Sequence, residues 1–119
     1  LGYNTPSLNI HWNEPVHLRT TTHLVSLQAN AYQNGIWVAA AGKCGSEDGH
    51  HMIGSSAIVA PTGEILARSL TEEDEVICVR ADLSIGEHFR QHVFNFAKHR
   101  RPEHYKLIVE RTGAGEPLV

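Results

Sequence analysis

The chain reads as an α/β protein in which helix packs on sheet. Three features predict this: an amphipathic stretch at 17–34, short and continuously apolar runs at 36–41 and 76–81, and two apolar segments flanking a Pro- and Gly-containing turn at 60–64. At 119 residues with 41% hydrophobic content, one compact domain is expected, able to bury roughly two thirds of its unfolded surface.

Taken in order, 8–15 mixes Asn, His, Trp and Pro without a period and reads as a loop, so a helix is expected to start after Pro15. Along 17–34 the apolar residues Leu24, Leu27, Ala31 and Tyr32 recur at i, i+3, i+7 and i+8, while Arg19, Gln28 and Gln33 can face water. Asn34-Gly35 supplies the stop. The run 36–41 has bulky residues first and small ones last, as expected of a strand covered on both faces. The glycine-rich stretch 42–54, with Glu47, Asp48 and His50-His51, reads as an exposed connection. A hairpin follows, 57–59 against 65–67, with Pro61 presetting one turn dihedral and Gly63 free to take a positive φ.

After an acidic turn at 71–74, the segment 76–81 is apolar except at Arg80 and is expected to be a third covered strand, with Cys78 as a small core residue. Asp82 or Ser84 is placed to cap a helix carrying Phe89, Val93, Phe94 and Phe96, which Pro102 should end. Beyond it, Leu107-Ile108-Val109 is one apolar patch before a Gly- and Pro-containing tail expected to be mobile. No internal repeat or low-complexity tract interrupts the chain.

Composition excludes several functions. A formal charge of −3, with acids and bases interspersed, offers no basic stripe for a phosphate backbone, so nucleic acid is not an expected partner. No apolar run approaches the roughly 20 residues of a membrane helix, and no signal-like segment opens the chain. A cytoplasmic protein that does not engage membranes is the expectation. Two cysteines, Cys44 and Cys78, are too few for a disulfide framework and suit a reducing compartment. The chain opens at Leu1 without an initiating Met, as expected of a truncated or cleaved chain.

Nine histidines are the compositional oddity: protonating all of them moves the formal charge from −3 to +6. His88 and His92 stand at i and i+4, yet Phe89-Arg90-Gln91 between them lacks the glutamate of a zinc-protease helix. Surface or hydrogen-bonded roles are the favoured reading for all nine, and no metal site is assigned. Cys44 beside Lys43 invites a nucleophile reading, but no base is evident nearby, and Gly54-Ser55-Ser56-Ala57 lacks the second glycine of a nucleophile elbow. Asn4 and Thr5, in Asn-Thr-Pro, can either form an Asx-type turn or present an amide and a hydroxyl to a cleft.

Several motifs in fixed order carry a resemblance. Gly2-Tyr3-Asn4-Thr5-Pro6, Tyr32-Gln33-Asn34-Gly35, Ala40-Ala41-Gly42-Lys43, the Gly-x-Ser-x-Ile-Val-x-Pro-x-Gly-Glu run at 54–64, Phe94-Asn95-Phe96 and Arg101-Pro102-Glu103-His104-Tyr105 together resemble the nitrilase, or carbon-nitrogen hydrolase, superfamily over residues 2–110. The likeness is greatest to N-carbamoyl-D-amino acid amidohydrolases. The resemblance implies the C-terminal portion of a four-layer αββα sandwich. It also implies hydrolysis of N-carbamoyl-D-amino acids to D-amino acid, CO2 and ammonia through a cysteine acyl-enzyme, without a metal or other cofactor.

An unreactive urea or amide carbonyl needs a strong nucleophile, a positioned base and positive charge at the oxyanion. In that family these are a cysteine, a glutamate and a lysine, all upstream of the matching region, as are two arginines that grip the substrate carboxylate. Lys43 and Glu64 match positions outside the triad, so no catalytic residue is assigned here. Asn4 and Thr5 match substrate-pocket positions and are the expected substrate contacts. The implied partners are a small N-carbamoyl amino acid or amide and further copies of the chain, with 94–107 as the candidate subunit interface. The chain alone is expected to be inactive and prone to association. A non-catalytic assembly or regulatory subunit, a β-ureidopropionase-like enzyme and an aliphatic amidase are the alternatives, and a histidine-rich metal binder is the third class weighed.

Overall fold

The computed structural model describes residues 14–111. Helix α1, Val16–Asn34, starts where Pro15 holds an extended ψ of 142° and its carbonyl oxygen accepts from the Leu18 and Arg19 N–H groups at 3.0 and 3.1 Å. It ends at Gly35, whose φ of 58° lets its N–H reach Tyr32 O while Ile36 N–H reaches Ala31 O. That pair of bonds is the Schellman closure, and it needs the left-handed residue that glycine supplies.

α1 lies on a three-stranded antiparallel sheet in the order β1 (Val38–Ala40), β4 (Ala57–Val59), β5 (Ile65–Arg68). Val38 pairs with Val59 and Ala40 with Ala57, so alternation sends Val38, Ala40, Ala57, Val59 and Ile65 toward α1. There they meet Leu24, Leu27 and Ala31, and Val59 is fully buried. Small residues at Ala31, Ala40 and Ala57 let the helix approach the sheet closely. Leu66 is the extra residue of a bulge between the Ile58–Ala67 and Val59–Ile65 pairs. The β4–β5 turn closes through Gly63 N–H to Ala60 O, and Gln28 on α1 donates to Gly63 O at 2.8 Å.

Two predictions for the middle of the chain are corrected. The stretch 42–54 is not an irregular connection but a second hairpin, β2 (Cys44–Glu47) and β3 (His50–Ile53), with Glu47 paired to His50. Asp48 and Gly49 take φ of 49° and 78°, the double positive-φ pattern of a type I′ turn that Asp-Gly favours. The segment 76–81 is not a covered strand. Among the described residues no strand pairs with it, Val76 is 88% exposed, and Cys78 is exposed where a core residue was expected. A strand exists only through its ladder partners, and an apolar composition cannot replace them.

The helix expected over 84–101 is broken. α2, Ile85–His88, passes into a π turn, Phe89–Val93, closed by Phe94 N–H to Phe89 O at 2.7 Å. Residues five apart diverge by about 140° on an α-helix, whereas i→i+5 bonding brings them to one side. Phe89 and Phe94 thereby both set an edge against Tyr32, at ring separations of 5.6 and 4.9 Å. The helix restarts as α3, Phe96–His99, where Asn95 Oδ1 accepts from Lys98 N–H at 3.0 Å. Pro102 opens a 3₁₀ turn, Pro102–His104, instead of ending a helix, and α4, Lys106–Glu110, holds the apolar patch.

Candidate functional site

The sequence-predicted substrate contacts, Asn4 and Thr5, lie outside the described residues. The groups that converge among the described ones sit where β1 and β4 meet the Gly-rich turns. Gly42 N–H donates to Ser56 Oγ at 3.0 Å and Gly54 N–H to Lys43 O at 2.9 Å. The two turns are so close that a Cβ on Gly42 would overlap the Gly54 carbonyl. Gly54 and Ser55 hold φ of 61° and 52°, and this left-handed pair redirects the chain from β3 into β4.

Beneath the turn lies His23, buried in α1 at 4% exposure. Its Nε2 is 3.1 Å from Ser55 O, and since a carbonyl only accepts, the proton on that side resides on Nε2. Burial lowers the His23 pKa below its ordinary value; the Ser55 bond opposes this and the Arg68 charge adds to it. Arg68 in turn donates to Ser55 Oγ at 3.3 Å. His23 is the residue sequence reasoning missed. Its signal was available, since 23, 27 and 31 continue the buried stripe at four-residue steps.

A cleft of about 220 Å³ opens beside these turns, lined by Gly42, Cys44, Gly54, Ser56, Thr71 and Glu73 among others. Cys44 is half-buried there and its thiol lies 3.5 Å from Glu73 O as a weak donor. Lys43 pairs with Glu47 and Glu64 accepts from Thr62 Oγ1 at 2.7 Å. Lys43 and Glu64 are thus each tied to a residue within four positions, while Cys44 reaches across to the 71–75 loop. Glu75 braces the far wall: the Thr71 hydroxyl, followed by the Thr71 and Leu70 N–H groups, holds its carboxyl below the usual range.

Above the face of the sheet opposite α1, a second groove of about 440 Å³ runs between Ala39, Ile58 and the 75–77 segment. His88 and His92 come together on α2 and the π turn, with ring centres 5.0 Å apart. Among the described residues no group of three or more His, Cys, Asp or Glu side chains is placed to hold a metal ion, and no helix is long and apolar enough to cross a membrane.

The architecture defines an α/β protein whose glycine turns build a small polar cleft at one end of a helix-backed sheet. The carbon-nitrogen hydrolase family model matches residues 3–91, and the chain belongs to that family. A probable nitrilase of Schizosaccharomyces pombe is 29% identical over 82 residues, covering 69% of this chain and 30% of the relative. The crystal structure of a carbon-nitrogen hydrolase from Helicobacter pylori G27 superposes with a TM-score of 0.71 at 25% identity, covering 87% of this chain and 38% of that one. The chain thus spans well under half the length of these relatives.

Proposed function

We propose that the chain is the C-terminal portion of a hydrolase of non-peptide C–N bonds, acting in the longer protein on N-carbamoyl-D-amino acids through a cysteine acyl-enzyme. Asn4 and Thr5 are its substrate contacts in this reading, and 1–119 is one part of a four-layer αββα sandwich with 106–119 as its tail. The observation that carries the proposal is the family match over 3–91, in a chain whose Lys43, Cys44 and Glu64 are each bonded to another residue of the chain. Catalysis of this kind needs nucleophile, base and oxyanion charge in one place. In this reading, with the nucleophile, base and oxyanion charge supplied by the longer protein, the chain alone is inactive. Free thiols at Cys44 and Cys78 support a cytoplasmic setting. Similarity to the S. pombe probable nitrilase adds a nitrile to the aliphatic amide as the second substrate class.

The test measures ammonia release from N-carbamoyl-D- and L-amino acids, an aliphatic amide and a nitrile, using the 119-residue chain and the protein isolated from its native source, whose intact mass is recorded. Expected are a native mass well above 13.2 kDa, release from the D-carbamoyl substrate by the native protein, and none from the chain alone. A native mass of 13.2 kDa sinks the catalytic reading and leaves an assembly or regulatory subunit. Preference for the amide or nitrile replaces the carbamoyl assignment.

A further inference from the structure

We propose that His88 and His92 form a two-imidazole site for a borderline divalent cation of the Zn²⁺, Ni²⁺ and Cu²⁺ class. His88 closes α2 and His92 lies in the following π turn. A stretch that passes from i→i+4 to i→i+5 bonding winds at about four residues per turn, so side chains four apart stack almost directly over each other. Their ring centres are 5.0 Å apart with planes inclined by 44°. With metal–nitrogen bonds of about 2.1 Å and a ring-nitrogen-to-centre distance of about 1.1 Å, two adjacent imidazole ligands place their ring centres roughly 4.5–5.2 Å apart. The observed separation falls within that range.

The surroundings suit a cation. Both rings are exposed and, among the described residues, neither is held by a hydrogen bond or ion pair. The Arg90 guanidinium between them in sequence is turned away, donating to Gly35 O at the C-terminus of α1. Glu87 precedes His88 and is exposed. Because no third His, Cys, Asp or Glu joins the pair among the described residues, the remaining positions would be filled by water, and the ion is exchangeable. Imidazole nitrogen selects this borderline class over Mg²⁺ and Ca²⁺, which take oxygen. Bridging positions 88 and 92 also clamps the π turn in its wound state.

The test titrates Ni²⁺ near neutral pH into the tag-free 119-residue chain by calorimetry. The variants are H88A, H92A and, as a control for the other adjacent histidines, the double substitution H50A/H51A, each checked for unchanged far-UV circular dichroism. Expected is one equivalent bound by the unsubstituted chain. Either single variant should lose on the order of tenfold or more in affinity, because the second ligand acts at high effective concentration, while the control keeps it. The thermal midpoint should rise with Ni²⁺ in the unsubstituted chain and not in H88A or H92A. No saturable uptake, equal affinity in the single variants, or loss in the H50A/H51A control overturns the proposal.

Discussion

His23 joins three elements through one ring. It buries its imidazole in α1, donates to the carbonyl of a left-handed Ser55, and lies near the Arg68 guanidinium on β5. The buried neutral ring makes stability depend on pH in a definite direction. Burial puts its folded pKa below 6.5, so as pH falls through 6.5 the unfolded chain takes up the proton first. The contribution is whole above pH 6.5 and is lost progressively below it, until the folded ring also protonates. Substituting His23→Gln keeps an N–H donor and removes the titration. Urea midpoints measured from neutral pH to about 5 should therefore fall less steeply for the variant than for the unsubstituted chain. Parallel slopes would mean that the His23 ring titrates alike in the folded and unfolded chains, so that burial does not lower its pKa. The two proteins differ only at position 23, so the difference between their curves isolates that residue. His23 lies on the expected helix, but a polar letter at a buried position carries no hydrophobic-period signal of its own in the sequence.

At the scale of elements, legibility followed how local the signal was. α1 and its Asn-Gly stop were readable because period and cap lie within the segment, and the β4–β5 hairpin because Pro61 and Gly63 fix its turn. The β2–β3 hairpin was hidden although Asp48-Gly49 is a strong turn pair, since its flanks, Cys-Gly-Ser-Glu and His-His-Met-Ile, lack β-branched alternation. The reading of 76–81 failed for the opposite reason: its composition favours a strand, but pairing is a long-range property. The π turn was out of reach because the ring its two phenylalanines pack on, Tyr32, lies more than fifty residues away. Stability should be equally uneven along α1. Leu27 is 6% exposed within the core cluster and Val25 is 55% exposed on the outer face. Leu27→Ala should cost about 2–4 kcal/mol, against about 0.5 kcal/mol or less for Val25→Ala, as read from denaturant midpoints at unchanged slope. Equal losses would show that α1 does not pack through the 23–27–31 stripe.

At the scale of the whole molecule, the core among the described residues lies on the α1 side of the sheet. α1 covers Val38, Ala40, Ala57 and Val59, whereas the opposite face presents Ile58 and Ala39 to a groove bordered by Val76 and Ile77. A one-sided sheet with an apolar, unpaired segment alongside offers both apolar area and free backbone donors to a second chain. Such surfaces join without a closed symmetry, so association of the isolated chain should grow with concentration instead of stopping at a dimer. The proposed subunit interface at 94–107 presents a second apolar surface, with Phe96 46% exposed and Leu107 55% exposed. Light scattering on chromatographed chain separates the two. The weight-average mass should exceed 13.2 kDa and climb with loading, and the double substitution Ile58→Lys with Val76→Lys should bring it back toward 13.2 kDa, while Phe96→Lys leaves the climb intact. A mass that stops at twice 13.2 kDa and falls only with Phe96→Lys would instead assign association to the C-terminal helices. In that case the uncovered sheet face would not be what drives the isolated chain together.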